Sequence, residues 1–381
     1  MQADCASDRM GKKLFTPGPL SCSTQVKAAM MHDLGSRDQE FIDCVREVRA
    51  SLLDIAKVSE DEYTAVPLQG SGTYCVEAVL QTTSPRDNAR VLVLTNGAYG
   101  ERMVKACQYA GIEVRGEDYI ESLPIPVPEI QRLLEGEGAW TTVAMVHCET
   151  SSGVINPVEE VGRLVRRYAP GAAFVVDAMS SFGAVPLDLE AAGVDYLVSS
   201  ANKCLEGVPG FSYAICRLQH LLSCRGQCRV LSLDLVAQHL ALHHNGQFRF
   251  TPPTHALLAF RAALRQHREE GGVQGRAARY LKNQRVLVEG MEGLGYRRLL
   301  HPRHASYIIT AFLYPQHPNF DFTTFYTKLA DRGQVIYPGK VTRAPCFRVG
   351  TIGHLFPEDV RDLLTSVQAV MRDMGLPAPL T

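Results

Sequence analysis

The chain has 381 residues, of which 46% are hydrophobic and 21% are charged, with 39 basic against 40 acidic side chains. This composition is typical of a globular protein with a large core, and the length suits one large domain with a smaller one. A formal net charge of −1 gives no global field that would attract nucleic acid or an anionic membrane. We therefore expect small-molecule substrates as partners, and neither nucleic acid nor membrane.

Targeting features and cysteine usage predict a cytoplasmic protein. No apolar run approaches the roughly 18 residues of a membrane-spanning helix. The N-terminal stretch MQADCASDRMGKK lacks the apolar core of a secretory signal, and its acids Asp4 and Asp8 argue against a mitochondrial presequence. Eleven cysteines without a CxxC pair are typical of reduced thiols in a cytosolic enzyme rather than of a disulfide framework.

One cysteine–histidine cluster has roughly the spacing of a zinc finger, namely Cys224, Cys228, His239 and His243. The segment between the two pairs, RVLSLDLVAQ, lacks the compact aromatic core of such a finger. We therefore expect no metal site in this chain.

Short apolar runs alternate with helical patterns from about residue 60 to residue 215. In chain order, we expect strands at TAVPLQ, RVLVLTN, TTVAMVHCE, AAFVVDA, DYLVSSA and FSYAICR. The helical patterns between them include TYCVEAVLQTT, GERMVKACQYAG and VEEVGRLVRRYAP. This alternation predicts an α/β fold, with a mostly parallel sheet covered by helices on both faces.

The pattern changes in the last third of the chain. Long helices are expected from residue 261 to about residue 295, followed by strands at YIITAFL, QVIYPG and CFRVGTIG and by helices at FTTFYTKLADRG and PEDVRDLLTSVQAVMRDMG. This succession predicts a smaller α+β domain. We therefore divide the chain into an N-terminal segment (1–25), a large domain (26–270) and a small C-terminal domain (271–381).

Ligands of an open α/β sheet bind where its strands end at their carboxyl edge. The loops that follow the predicted strands are short, polar and rich in small residues: QGSGTY, TNGAYGE, HCETSSG, DAMSS and SSANKC. We expect these five loops to meet at one pocket.

The first of these loops suits a phosphate. A strand leads through Gly70 into a helix, and the free N–H groups around Ser71, Gly72 and Thr73 form an anion site favoured by the helix dipole. A plain helix N-cap is the alternative. The loop has no Gly-Lys-Ser/Thr of a P-loop, and Cys75 stands where a dinucleotide fingerprint needs its third glycine, which argues against a dinucleotide-dependent dehydrogenase.

Asp177 and Lys203 stand at the ends of two apolar strands that follow one another along the chain. An acid in this position is either a helix N-cap, an ion-pair partner of the lysine, or one side of a grip on a cofactor ring. Pyridoxal phosphate requires the last arrangement: an amine that bonds to its aldehyde, an acid beside its ring nitrogen and an anion site for its phosphate. Tyr99 is placed to cover the ring.

Two neutral side chains, Thr150 and Asn202, are placed to orient the substituents of the ring. The full order along the chain is therefore phosphate loop, aromatic residue, polar loop, aspartate and lysine. This order predicts pyridoxal 5'-phosphate as the cofactor. A non-catalytic binding or scaffold protein is disfavoured because the set of cofactor residues is complete.

The chain resembles the fold-type I, pyridoxal-phosphate-dependent aminotransferases of class V over nearly its whole length. The segments that carry the resemblance are LFTPGPL, GSGTYCVEAVL, LTNGAYGERM, HCETSSGVINP, VDAMSSFGAVPLDL, SSANKCLEGVPGF, LSLDL, FTPPTHALLAF, VIYPGK and CFRVGTIG. Two positions depart from the family pattern: Glu206 stands where we expect glutamine, and Cys75 where serine is common.

The resemblance implies a role for each candidate residue. Lys203 would hold the cofactor covalently, Asp177 would pair with the ring nitrogen, and Tyr99 would stack on the ring. Ser71, Gly72 and Thr73 would bind the phosphate, and Thr150 would approach the ring hydroxyl. Thr251 matches a threonine that reaches the phosphate from a partner subunit, which implies a homodimer with shared active sites.

For the substrate, the resemblance implies that Arg348 binds its anionic group, with Arg37 as a weaker second candidate. From the residues alone, Arg348 could instead pair with an internal acid, and Arg37 could be a solvated surface residue. SSANKCLEGVPGF is most similar to family members that use 2-aminoethylphosphonate and pyruvate. Alanine–glyoxylate or serine–pyruvate transamination and a phosphonate lyase remain alternatives; Asn202, where desulfurases have histidine, argues against a desulfurase.

Overall fold

The computed structural model describes residues 11–137, 139–341 and 344–380. The strands in this part of the chain are β1 (Lys13–Leu14), β2 (Tyr63–Gln69), β3 (Val91–Thr95), β4 (Val114–Asp118), β5 (Thr142–Val146), β6 (Cys148–Glu149), β7 (Val154–Ile155), β8 (Ala173–Asp177), β9 (Tyr196–Ser200), β10 (Phe211–Arg217), β11 (Ile309–Leu313), β12 (Gln334–Val335), β13 (Tyr337–Pro338) and β14 (Cys346–Gly350). The α-helices are α1 (Thr24–Ala28), α2 (Gln39–Ala56), α3 (Gly72–Thr83), α4 (Ala98–Tyr109), α5 (Val127–Gly136), α6 (Val158–Tyr168), α7 (Leu218–Ser223), α8 (Leu235–Asn245), α9 (Thr254–Glu269), α10 (Gly272–Gly293), α11 (Phe322–Asp331) and α12 (Pro357–Asp373).

A seven-stranded sheet with the order β2-β10-β9-β8-β5-β3-β4 forms the centre of the larger unit. Strands β9, β8, β5, β3 and β4 are parallel, whereas β10 is antiparallel to both of its neighbours. The predicted mostly parallel sheet is confirmed, and its inner strands are buried along their whole length. The edge strand β4 was not predicted because its sequence, VRGED, is polar and partly exposed.

Helices flank this sheet because their apolar residues recur at helical spacing. In α6, Val158, Val161 and Val165 are buried, while the polar residues between them face outward. Acids stand in its first turn and Arg166 and Arg167 in its last turn, an arrangement that complements the helix dipole.

The C-terminal residues form a second core on an antiparallel sheet with the order β11-β14-β13. Phe312, Phe347 and Leu363 are fully buried in this core. The N-terminal segment joins it as well, because β1 pairs in parallel with β12 and Phe15 lies among the core residues.

A smaller apolar cluster lies where the two units meet. Its buried members include Leu20 of the N-terminal segment, Cys204 and Cys148 of the larger unit, and Tyr280 and Ile352 of the C-terminal unit. The part of the chain described by the structure contains no helix with both the length and the apolarity to cross a bilayer.

Candidate functional site

The five polar loops predicted to meet do lie at one edge of the central sheet. Strands β3, β5, β8 and β9 are parallel neighbours or near neighbours, and β2 has the same direction because β10 is antiparallel to both β2 and β9. All five strands therefore end at the same edge. The loops that follow them carry Ser71, Tyr99, Thr150, Asp177 and Lys203.

Lys203 lies in the tight turn that follows β9. Its Nζ donates a hydrogen bond to the carbonyl oxygen of Pro17, at 2.6 Å. Burial lowers the pKa of this amine to about 8, although the nearby Asp177 carboxylate opposes the shift. The uncharged, nucleophilic form of the amine is therefore reached at a lower pH than for an ordinary lysine.

The segment LFTPGPL, which packs against this amine, could not be given a role from the sequence alone. Gly18 packs so closely that a Cβ atom at this position would lie 2.7 Å from Lys203 Nζ. Its φ of +132° is also one that residues with side chains rarely adopt. No local signal could have revealed this contact, because it joins residues 186 positions apart.

Asp177 ends β8 and is 95% buried, with 5% of its surface exposed. Burial raises the pKa of its carboxyl to about 6, while the charges of Lys203 and Arg102 act in the opposite direction. Its Oδ1 accepts a hydrogen bond from the Met179 N–H at 2.8 Å, which caps a turn rather than a helix. Among the described residues, its Oδ2 has no hydrogen-bond partner and Lys203 forms no ion pair with it.

The predicted phosphate loop has the expected strand–turn–helix form. Ser71 is the N-cap of α3, and its hydroxyl makes no capping hydrogen bond. Gly70, at φ +102°, donates its N–H to the Gly210 carbonyl oxygen at 3.1 Å and so fixes the turn. The Thr73 hydroxyl accepts a hydrogen bond from Arg102 Nη1 at 3.3 Å. The turn therefore presents hydroxyls, free N–H groups and a guanidinium together.

Tyr99 lies beside this turn, in the first turn of α4. The Arg102 guanidinium carbon lies 4.8 Å and Lys340 Nζ 4.7 Å from the centroid of its ring. Its backbone N–H donates to Glu149 Oε2 at 3.2 Å, and burial raises the pKa of that carboxyl. Arg102, Glu149 and Lys340 were all missed from the sequence. Only Arg102 had a usable signal, since it follows Tyr99 by three residues on one helix face.

Arg348 lies in β14 with 1% of its surface exposed. Its Nε donates to the Pro338 carbonyl oxygen at 2.9 Å, and its Nη1 donates to the Thr150 carbonyl oxygen at 2.6 Å. Its guanidinium carbon also lies 5.1 Å from the ring centroid of Tyr337. Arg348 forms no ion pair with a described acid, so the alternative of an internal ion pair is not what the structure contains.

The remaining predicted residues are partly or fully exposed. Asn202 is partly exposed, and its Oδ1 accepts from Ser200 Oγ at 3.1 Å. Thr251 is exposed, and its carbonyl oxygen accepts from Gln69 Nε2 at 2.9 Å, next to the phosphate loop. Arg37 lies in an exposed turn before α2 and makes no hydrogen bond or ion pair with the residues that the structure describes.

The zinc-like cluster does not assemble into a metal site within the described ranges, where no three His, Cys, Asp or Glu side chains could hold an ion. His239 and His243 stack on each other, with centroids 5.9 Å apart. His239 Nδ1 also lies 3.2 Å from the Thr64 hydroxyl.

A cavity of about 720 Å³ lies between the end of α2, the junction of α9 and α10, and the residues that follow Asp177. Acids such as Asp54 and Asp188 and bases such as Lys57 and Arg268 line it together. None of the predicted site residues lines this cavity. The cavity is therefore separate from the site built by the strand ends.

The chain is similar to known aminotransferases in both sequence and fold. The class-V aminotransferase family model matches residues 21–350. The 2-aminoethylphosphonate–pyruvate transaminase of Salmonella typhimurium is 47% identical over 361 residues, which are 94% of this chain and 97% of that protein. The enzyme of the same name from Klebsiella pneumoniae is 47% identical over 360 residues, with the same coverage.

Among solved structures, alanine–glyoxylate aminotransferase from Nostoc superposes with a TM-score of 0.88 at 26% identity and covers 98% of both chains. The subgroup IV aspartate aminotransferase of Thermus thermophilus superposes with a TM-score of 0.84 at 24% identity over 95% of this chain and 99% of its own. The second match shows a shared fold only.

Proposed function

Because this chain belongs to the class-V aminotransferase family, we propose that it transfers the amino group of 2-aminoethylphosphonate to pyruvate, giving phosphonoacetaldehyde and L-alanine. The cofactor would be pyridoxal 5'-phosphate. The substrates are supported by the 47% identity, over 94% of the chain, to transaminases that carry this name. The chemistry is supported by one observation above all: Asp177 ends β8, Lys203 lies in the turn after the adjacent parallel strand β9, and both have shifted pKa values.

The residues present fit this cofactor. Ser71, Gly72 and Thr73 at the start of α3, together with Arg102, offer donors and positive charge for a phosphate. One carboxylate oxygen of Asp177 accepts no hydrogen bond from the described residues, which suits a protonated ring nitrogen. When bound, pyridoxal phosphate supplies an aldehyde that bonds to amines and a ring that accepts electrons.

The protein's own contribution to the reaction is to hold and move protons. Above pH 6, the Asp177 carboxyl is mostly ionised and would hold a proton on the ring nitrogen of the bound cofactor. Lys203 has an amine with a pKa of about 8, so it can take a proton from the amine-bearing carbon of the substrate and return it. The Pro17–Gly18 segment packs against the amine on one side and would orient it.

Positive charge in the site exceeds negative charge among the described residues. Lys203, Arg102, Lys340 and Arg348 face two buried acids, Asp177 and Glu149, and act on one another electrostatically. This excess of positive charge would favour binding of the two anionic groups, the cofactor phosphate and the substrate phosphonate. The same site also accepts the carboxylate of pyruvate, because substrates alternate in one pocket.

Arg348 alone is poorly equipped for a phosphonate, since two of its nitrogens already donate to backbone carbonyls. Lys340 is exposed and lies on the ring of Tyr99, and no residue described by the structure accepts a hydrogen bond from its amine. We therefore assign Arg348 to the anionic group of either substrate and Lys340 to the additional charge of the phosphonate. We place the enzyme in the cytoplasm as a homodimer, in which Thr251 would approach the phosphate of the partner's site.

The function is tested with purified protein that is loaded with pyridoxal phosphate. 2-Aminoethylphosphonate, alanine and serine are added separately, and loss of the visible absorption band reports which amine reacts. We expect reaction with the aminophosphonate and alanine, and turnover with aminophosphonate plus pyruvate. Reaction with serine but not with the aminophosphonate would transfer the assignment to serine–pyruvate transamination, and a protein that never binds the cofactor would end the proposal.

The role of Lys340 is tested in the same assay with Lys340→Met. We expect KM for 2-aminoethylphosphonate to rise about 10-fold while KM for pyruvate rises less than about threefold, since only the phosphonate loses a charge partner. Lys282→Met, on the exposed side of α10, is the matched control and leaves both constants unchanged. Equal effects on the two substrates would contradict the assignment of Lys340.

A further inference from the structure

Glu206, the residue that departs from the family pattern, turns away from the site and into the C-terminal unit. It lies three residues after Lys203, has 3% of its surface exposed and adopts φ +60°. This left-handed conformation is unfavourable for a residue with a long side chain and persists only where its surroundings fix it. The contacts of the carboxylate supply that fixation.

The carboxylate is held entirely by residues of α10. Arg279 Nη2 donates to Glu206 Oε1 at 2.7 Å and the Tyr280 hydroxyl donates to it at 2.5 Å, while Arg276 Nη1 lies 3.3 Å away. Both arginines also pair with Glu270, at 2.6 to 2.7 Å. Two arginines and two glutamates therefore form a charge-balanced cluster, which is the condition under which buried ions are tolerated.

The cluster also contacts the turn that carries Lys203. Arg276 Nη1 donates to the Cys204 carbonyl oxygen, and the Tyr280 hydroxyl lies 3.4 Å from the same oxygen. The Glu206 N–H donates to the Lys203 carbonyl oxygen at 2.7 Å. The backbone on both sides of Cys204 is therefore tied, through Glu206, to one face of α10.

The same helix is anchored to the loop after β14, the strand that carries Arg348. Arg279 Nη1 donates to the carbonyl oxygens of Gly353 and Leu355, at 2.6 and 2.9 Å, and the Gly353 N–H donates to the Tyr280 hydroxyl at 3.1 Å. Glu206 thus stands at the junction of the lysine turn with the unit that holds the substrate arginine.

We propose that Glu206 is a positioning residue for Lys203, which fixes the turn of the reactive amine to α10 and thereby to the unit that carries Arg348. The inference rests on the proposed function only in taking Lys203 as the reacting amine. It also gives the departure from glutamine a reason, since a neutral amide would leave Arg276 and Arg279 with a single carboxylate between them.

The first test uses cofactor-free protein and Glu206→Gln. Acetic anhydride is applied across a pH series, and acetylation of the Lys203 peptide is followed by mass spectrometry, which gives the pKa of that amine. From about 8 in the wild type, we expect a rise of about one pH unit in the variant, because a released turn exposes the amine to water. Glu289→Gln, exposed on α10, is the control and leaves the profile unchanged.

The second readout is turnover of the loaded enzyme. For Glu206→Gln we expect kcat to fall about 10- to 100-fold with little change in either KM, because a misplaced amine slows the proton transfer rather than binding. Tyr280→Phe keeps the carboxylate and removes the hydrogen bonds of this hydroxyl to Glu206 and from Gly353, at nearly constant volume. It is expected to move both readouts less, in the same direction. It carries the test if Glu206→Gln does not fold.

A lower melting temperature with an unchanged Lys203 profile and unchanged kcat, in both variants, would overturn the proposal and leave a purely structural role. The two hypotheses fail separately. If the wild type uses serine instead of the aminophosphonate, the proposed function fails, but the acetylation profile still decides the role of Glu206.

Discussion

The amine of Lys203 donates its hydrogen bond to the carbonyl oxygen of Pro17, at a distance of 2.6 Å. One neighbour of that carbonyl, Gly18, leaves no room for a side chain, since its Cβ would lie 2.7 Å from Nζ. The N-terminal segment therefore forms one wall of the site rather than a separate tail. This close contact can be tested by substitution of Gly18.

Gly18→Ala is expected to weaken cofactor binding at least about 10-fold. The added methyl group would push the amine aside, and the φ of +132° would be strained with any side chain. Titration with pyridoxal phosphate, followed by its visible absorption, measures the effect. Gly11→Ala is the control because its Cβ would meet no atom of the described residues within 4 Å. If the Gly18→Ala protein binds the cofactor like the wild type, the amine can still reach the cofactor with a side chain at this position.

Asp177→Asn is expected to stabilise the cofactor-free protein while it reduces activity. The folded-state pKa of this carboxyl, about 6, is above its ordinary value of 3.8. The unfolded chain therefore loses this proton more readily, and the free energy of unfolding falls as the pH rises from about 4 to 6. The variant escapes a cost of up to about 3 kcal/mol at pH 7.5.

Urea denaturation of wild type and Asp177→Asn at pH 4 and pH 7.5 measures this cost. The difference between the two proteins should be small at pH 4 and should favour the variant at pH 7.5. Asp54→Asn, on an exposed part of α2, should show no such dependence. A variant that is less stable than the wild type at both pH values would mean that the carboxylate is satisfied within the protein.

Arg102→Gln distinguishes between a role of Arg102 in binding the cofactor phosphate and a role in binding the substrate phosphonate. The guanidinium contacts Thr73 of the phosphate loop at 3.3 Å, so we expect about 10-fold weaker cofactor binding, as for loss of one charge-assisted hydrogen bond. With saturating cofactor, both KM values should stay within about twofold of the wild type. Lys105→Gln, exposed on the same helix, is the control. A raised KM for the aminophosphonate with normal cofactor affinity would instead assign Arg102 to the substrate.

Thr251 is tested in mixed dimers because its proposed role lies in the partner's site. Thr251→Ala alone should lower cofactor affinity, and Lys203→Ala should be inactive. If the hydroxyl acts across the interface, a mixed dimer of the two variants contains one site with both native residues, so its affinity for the cofactor returns to the wild-type value. If the hydroxyl acts within its own chain, the weak affinity persists. If analytical sedimentation shows that the protein is a monomer, Thr251 cannot act in the site of a partner subunit.

The large unit could be predicted from the sequence because each strand is a continuous apolar run and each ends in a polar loop. The parallel arrangement of β8 and β9 then placed the loops that carry Asp177 and Lys203 at the same edge of the sheet. Edge strand β4 was missed for the opposite reason: VRGED has no apolar run, and its pairing with β3 is a tertiary effect.

The rest of the site escaped prediction because it depends on contacts between distant segments. Nothing in VIYPGK shows that Lys340 lies on the ring of Tyr99, more than 200 residues earlier. Glu206 drew attention as a departure from the family pattern, yet its reason lay in two arginines of a helix some 70 residues later. Sequence patterns locate strand ends; they do not locate what another unit places over them.

The pairing of Lys13 and Leu14 with Gln334 and Val335 has a consequence for the newly made chain. The first of these partners leaves the ribosome more than 300 residues before the second, an interval of roughly 15 to 60 seconds at ordinary rates of synthesis. Throughout that interval the segment that will cover Lys203 has no strand to pair with. We therefore expect the hydrogen bond between Lys203 and Pro17 to become fixed only late in synthesis, after β12 has been made.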